Sequence, residues 1–230
     1  MKMILMLCIV PGILAAASFS DDFESYIPPI DLGNSVSWLH LPGTGNLLVT
    51  EESGNNIVET VWNGYNAFAY LCLGSVTWLD GEISSDVRFN GDSLIIGLAS
   101  RLDVSTGEGY LGGIYPLFIP FGATVIAQID SNGNYTILTS DLFFPMEEDT
   151  WYNISFQVTG TDPVNLQLSI DGTVNSSCTD YTYLIGEGLS GLGGSFESSE
   201  PVLCYDNFSV VDYASALTSG TFGEIKAIFR

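Results

Sequence analysis

The stretch from Trp151 to Gly172, WYNISFQVTGTDPVNLQLSIDG, constrains the fold of this 230-residue chain more than any other. Tyr152, Ile154, Phe156 and Val158 alternate with Asn153, Ser155, Gln157 and Thr159. After Gly160-Thr161-Asp162-Pro163, Leu166, Leu168 and Ile170 alternate with Gln167, Ser169 and Asp171. Successive side chains of a strand point to opposite faces, so this period of two predicts two half-buried antiparallel strands. The apolar residues form one wall of a core. The polar ones carry no charge until Asp171, which suits a solvent-facing or hydrogen-bonding sheet better than a catalytic one. Asp171-Gly172 fits a tight turn because glycine tolerates positive φ.

The same short-strand pattern runs through residues 18 to 211. Brief strands are expected at Leu47–Thr50, Ile57–Trp62 and Phe68–Leu73, and at Thr124–Ile129 paired with Tyr135–Leu138 around Asn132-Gly133. Trp78 to Arg101 reads as the longest hairpin, turning at Asn90-Gly91-Asp92. The glycine cluster Gly107–Gly113 reads as a long irregular loop, and a second glycine-rich run, Gly186–Gly194, leads into a closing strand over Val202–Val211. No helical period persists in this region. About a dozen short strands with turn signals every 8–12 residues predict an all-β, two-sheet antiparallel jelly-roll sandwich. The end differs. Thr221-Phe222-Gly223-Glu224 has the spacing of a capping box, and Phe222, Ile225, Ile228 and Phe229 predict a short C-terminal helical tail.

Lys2, an apolar run to Leu14 and Ala15-Ala16-Ala17 read as a secretory signal peptide. The expected division is signal peptide 1–17, jelly-roll domain 18–212, and linker with tail 213–230. Cleavage leaves Arg88, Arg101, Lys226 and Arg230 against 27 Asp and Glu, a formal charge of −23. Such a surface repels phosphate backbones and anionic lipid, which argues against nucleic-acid and membrane-surface roles. No other apolar run reaches the ~18 residues of a spanning helix, so no membrane insertion is expected after signal removal. Cys72, Cys178 and Cys204 remain, with Cys178–Cys204 the preferred disulfide. One histidine, His40, gives neither a zinc set nor a clear nucleophile partner.

The order of these signals resembles the concanavalin A-like lectin/glucanase superfamily, in its laminin-G-like bacterial branch. The carrying residues are Asp21-Asp22-Phe23-Glu24, Gly81-Glu82-Ile83-Ser84-Ser85-Asp86-Val87-Arg88, Gly97-Leu98-Ala99-Ser100-Arg101, Trp151-Tyr152, Asp171-Gly172-Thr173, Gly188–Gly193 and Tyr205-Asp206-Asn207-Phe208-Ser209-Val210. The resemblance implies a jelly roll with one concave sheet, where members that bind sugars usually do so. Hydrolases of the superfamily carry two glutamates flanking an aspartate at alternate positions on one strand. Here Glu82, Ser84 and Asp86 occupy that alternation. Ser84 removes the central carboxylate, and four residues on a flat strand span roughly 13 Å, beyond the ~5–9.5 Å of a glycosidase pair. A non-catalytic protein is therefore expected, with a glycoside hydrolase using Glu82 and Asp86 as the alternative.

Sugar sites combine aromatic faces with amide and carboxylate groups. Trp62, Asn63, Tyr65 and Asn66 in one loop, with Tyr110 and Tyr115 in another, are the expected ligand-binding residues; Trp38 and Trp78 are alternative platforms. Asp22, Glu24 and Asp206 are candidate ligands of a structural calcium if the chain ends pair. The expected function is a secreted, lectin-like protein that binds a glycan or surface polysaccharide. The further alternative is a structural or adhesive cell-surface protein attached through its C-terminal tail.

Overall fold

The computed structural model describes residues 18–35, 37–40, 46–61, 67–71, 78–90, 95–118, 121–195 and 202–213. The signal segment and the expected terminal helix lie outside these. The strands, in chain order, are β1 (Ser18–Asp21), β2 (Ile30–Asp31), β3 (Trp38–His40), β4 (Asn46–Glu52), β5 (Asn55–Val61), β6 (Ala67–Leu71), β7 (Gly81–Asn90) and β8 (Ile95–Leu102). They continue with β9 (Gly109–Phe118), β10 (Phe121–Ile129), β11 (Tyr135–Pro145), β12 (Tyr152–Thr159), β13 (Val164–Ile170), β14 (Thr173–Asp180), β15 (Leu189–Ser195) and β16 (Val202–Asp212). A 3₁₀ turn at Leu32–Asn34 is the only helical element among the described residues.

The strands form two antiparallel sheets. One has nine strands, in the order β14-β13-β12-β7-β16-β5-β4-β2, with β1 on β16; the other has seven, in the order β11-β10-β9-β8-β15-β6-β3. This is the expected jelly-roll sandwich. Tyr152, Ile154, Phe156, Val158, Leu166, Leu168 and Ile170 are at most 8 % exposed, so the alternation of β12 and β13 buries one face as predicted. The core between the sheets adds Ile83, Val87 and Phe89 from β7, Ile96 and Leu98 from β8, and Leu203 and Tyr205 from β16. Hydroxyls tie the sheets together inside it. Tyr205 Oη donates to the Gly193 carbonyl at 2.6 Å, and Tyr110 Oη to Asp180 Oδ2 at 2.6 Å.

Several sequence expectations are corrected. β7 and β8 do not pair with each other: β7 lies between β12 and β16, β8 between β9 and β15. Asn90-Gly91 thus separates strands of opposite sheets, as Asn63-Gly64 does between β5 and β6. An Asn-Gly signal specifies a chain reversal, not which sheet receives the next strand. Much of each glycine run lies in a strand, Gly109, Gly112 and Gly113 in β9 and Gly191, Gly193 and Gly194 in β15, while Gly107 and Gly186 stay in the connections before them. A Cβ on Gly112 would run into the Phe156 ring, and one on Gly113 into the Ile96 carbonyl, so glycine here marks close packing.

The expected disulfide does not form: Cys178 and Cys204 are free. They sit on β14 and β16 of the same sheet, with β13, β12 and β7 between them. Four inter-strand steps alone separate them by roughly 19 Å or more, far beyond the ~4.4–6.8 Å between disulfide-linked Cα atoms. They also lie in different register rows, Cys178 in that of Gly81 and Cys204 opposite Arg88.

The chain ends do pair, Ser18 opposite Val211 and Asp21 opposite Phe208. Asp21 anchors this corner. Its Oδ2 accepts from Trp38 Nε1 and Tyr26 Oη, both at 2.8 Å, and its Oδ1 from the Phe23 amide at 2.9 Å. Burial and the Asp21 carboxylate push the Tyr26 hydroxyl up to about 12. Trp38 is fully buried, edge-on to Phe208 at 4.9 Å, and is a core residue rather than a sugar platform.

Candidate functional site

β7 turns Ile83, Ser85, Val87 and Phe89 inward, which leaves Glu82, Ser84, Asp86 and Arg88 on the outer face of the nine-stranded sheet. Pairing extends each position into a row across strands. Glu82 stands opposite Gln157, which stands opposite Gln167, which stands opposite Ser177. Ser84 stands opposite Ser155, and Asp86 opposite Asn153. On the other side a bulge between Asp206 and Ser209 sets Asp206 opposite Asp86 and Ser209 opposite Ser84. The bulge puts Asn207 at φ +51°, which asparagine tolerates better than most residues.

The carboxylates on this face are held by amides. Asp86 Oδ1 accepts from Asn153 Nδ2 at 2.8 Å and its Oδ2 from Asn207 Nδ2 at 2.9 Å. Asp206 Oδ1 accepts from its neighbour's amide, Asn207 N, at 2.7 Å, and its Oδ2 from Asn55 Nδ2 at 3.0 Å. Burial, with the nearby charges of Asp86 and Glu24, holds the Asp206 carboxyl above its usual range despite those bonds. Glu82 Oε2 accepts from Tyr213 Oη at 2.7 Å. Burial and then Glu82 push that phenol up to about 12. Ser84 Oγ and Ser209 Oγ share a 2.7 Å hydrogen bond. Arg88 pairs with Glu52 at 2.9 Å and lies 4.8 Å from the centre of the Trp151 ring.

Glu82 and Asp86 therefore lie on one face, as the alternation requires, but each is engaged: Glu82 by a phenol, Asp86 by two amides. Ser84, between them, bonds among the described residues only to another hydroxyl. The arrangement supplies acceptors and amide donors for a polyol.

Toward β14 the face becomes uncharged. Gln157, Thr159, Asn165, Gln167, Ser177 and Thr179 line an open groove of about 340 Å³. Thr179 Oγ1 donates to Asn165 Oδ1 at 3.1 Å, while Gln167 and Ser177 make no side-chain hydrogen bond to a described residue. Sequence reasoning recognised the polar side of this hairpin without singling it out as a site. The signal was its alternation; what lacked was the third strand, β14, which completes the groove.

The aromatic expectations fare differently. Trp62, Asn63, Tyr65 and Asn66 lie outside the described residues. Tyr110 is corrected: it is fully buried, and its hydroxyl also accepts from the Ile185 amide at 3.1 Å, so it offers no face to a ligand. Tyr115 is half-buried and packs against the core. Trp78 is buried and bridges to Gly188. None of these joins the β7 row.

The chain-end pairing brings Glu24 and Asp206 into each other's field, whereas Asp22 is exposed just after β1. Glu24 Oε1 accepts from the Asn56 amide at 2.8 Å. Among the described residues no three His, Cys, Asp or Glu side chains converge as a metal set.

No family model matches the chain, and no curated protein does. Solved structures do. A protein of unknown function with galectin-like fold from Bacillus subtilis is similar with a TM-score of 0.60 and 13 % identity, covering 86 % of this chain and 96 % of that one. The Bacillus licheniformis β-glucanase is similar with a TM-score of 0.55 and 12 % identity, covering 85 % and 97 %. The carbohydrate binding module CBM66 from Bacillus subtilis is similar with a TM-score of 0.51 and 14 % identity, covering 78 % and 94 %. At such identities the likeness is one of fold: this chain has the concanavalin A-like jelly roll.

Proposed function

We propose that this protein is a non-catalytic, lectin-like domain that binds a glycan on the outer face of its nine-stranded sheet and acts outside the cell. The observation that carries the reading is the continuous polar face in which amides and hydroxyls from β12, β13 and β14 meet the Glu82–Asp86 row of β7. Sugars present arrays of hydroxyls that donate to carboxylates and accept from amides, and an open groove admits a polymer from either end. The jelly-roll neighbours, among them a carbohydrate binding module and a β-glucanase, support a carbohydrate ligand.

A glycan array with the mature domain tests the proposal. Binding to a carbohydrate, lost on Gln157→Ala with Gln167→Ala in a protein that melts normally, is the expected result. Binding to no glycan overturns it. The same titrations with calcium and with chelator test the expectation for Asp22, Glu24 and Asp206. Reducing-sugar release from a bound polysaccharide, abolished by Glu82→Gln, would convert the reading to a hydrolase. Detection of the mature protein in the culture medium, starting at Ser18, tests export.

A further inference from the structure

Resting on the glycan reading, we infer that the ligand is an uncharged polysaccharide and that it lies across β12, β13 and β14 in the groove floored by Gln157, Gln167 and Ser177. Two independent observations point there. The first concerns where free hydrogen-bonding capacity lies. The carboxylates of the β7 row are engaged by their neighbours and Gln157 meets the Tyr213 hydroxyl, whereas Gln167 and Ser177 are uncommitted among the described residues. Gln157, Gln167 and Ser177 stand on adjacent strands in one register row. Such a row offers a donor–acceptor group about every 4.8 Å across the sheet, a spacing suited to a repeating hydroxylated chain rather than to a compact ligand.

The second concerns charge. The whole sequence holds five Lys and Arg against 27 Asp and Glu. Of the described cations, Arg88 is committed to Glu52 and the Trp151 ring. Arg101 is buried, its guanidinium spent on the carbonyls of Leu79, Ile185 and Gly160. Lining the groove are amides, hydroxyls, Leu166 and Cys178, with no cation. A uronate, sulfate or phosphate group would enter a strongly negative field and find no counter-charge at its seat, which costs affinity and slows encounter. An uncharged chain meets no such field, and its binding is nearly independent of salt.

The test uses neutral β-glucan, xylan and mannan, each beside its carboxymethylated derivative, titrated calorimetrically at low and high ionic strength. The expected result is binding of at least one neutral polymer with little salt dependence. Its carboxymethylated form should bind about tenfold more weakly or worse at low salt, a difference of ~1.4 kcal/mol. Gln157→Ala/Gln167→Ala should abolish binding with an unchanged melting midpoint, while Asn55→Ala, on the other side of the β7 row, should retain it. Equal or tighter binding of the carboxymethylated form overturns the inference and leaves the glycan reading standing. So does binding that survives the double glutamine variant. Failure of every polymer, on the panel and on a broad array, overturns both.

Discussion

Asn153 on β12 and Asp86 on β7 occupy paired positions, and the Asn153 side-chain amide donates to Asp86 Oδ1 at 2.8 Å. With Asn207 donating to the second oxygen, Asp86 is a carboxylate bridged by amides from both neighbouring strands. Asn153→Ala should cost about 0.5–1.5 kcal/mol, the usual net value of one such bond. Asn153→Asp should cost more, because like charges directly opposite each other on a sheet repel. That excess should shrink in molar salt, since the pair is exposed enough to be screened. Urea denaturation of the two variants at low and high salt checks both the order and the salt effect.

Asp206 links stability to pH. Its folded carboxyl sits above the ordinary range because burial and the charges of Asp86 and Glu24 disfavour ionisation. Between the unfolded and folded values the native state holds more protons, so this group's contribution is present at low pH and is lost as pH rises through the folded value. Asp206→Asn should therefore raise the melting midpoint at neutral pH, by roughly 1–3 °C. The advantage should disappear below the ordinary aspartate range. Paired melting curves across pH 3 to 8 measure it; a variant less stable than wild type at neutral pH would contradict this account.

Arg101 holds one end of the sandwich. From φ +53° on β8, its buried guanidinium donates to the carbonyls of Leu79, Ile185 and Gly160 at 2.8, 2.7 and 2.6 Å. Asp80 lies 3.5 Å away and also accepts from the Gly160 amide at 2.8 Å. Arg101→Met strips donors from three carbonyls and should cost about 3–5 kcal/mol. Arg101→Lys should recover little, because an ammonium lacks the planar fork that reaches three separate segments. Asp80→Asn, which keeps one acceptor, should be milder than either. Urea midpoints for the three variants establish the order.

Gly112 faces the Phe156 ring across the core, leaving no space for a methyl group. Gly112→Ala should destabilise by about 1–3 kcal/mol through overpacking. If the ring is the obstacle, Phe156→Leu should be less costly in the Gly112→Ala background than alone, a favourable coupling that a double-mutant cycle reads directly. Additive costs would place the strain elsewhere.

The alternation of Tyr152 to Ile170 determined, by itself, which side chains of β12 and β13 enter the core, because a strand's period of two leaves no freedom in the matter. Composition determined the negative surface, and the carrying motifs pointed to the jelly roll. Partner strands were another matter. Gly112 and Gly113 look like loop residues until the Phe156 ring and the Ile96 carbonyl occupy the space their side chains would need. Asn90-Gly91 looks like a hairpin until its flanking strands enter opposite sheets. Tyr110, a promising platform in the sequence, turns inward because Asp180 on the facing sheet accepts its hydroxyl. The groove needed Ser177 and Thr179 on β14 beside Gln157 and Gln167, and the amide bridges on Asp86 needed β16 beside β7. Such neighbours are far apart in the chain. Local periodicity says which face a side chain takes, and only the order of strands in the sheet says what stands next to it.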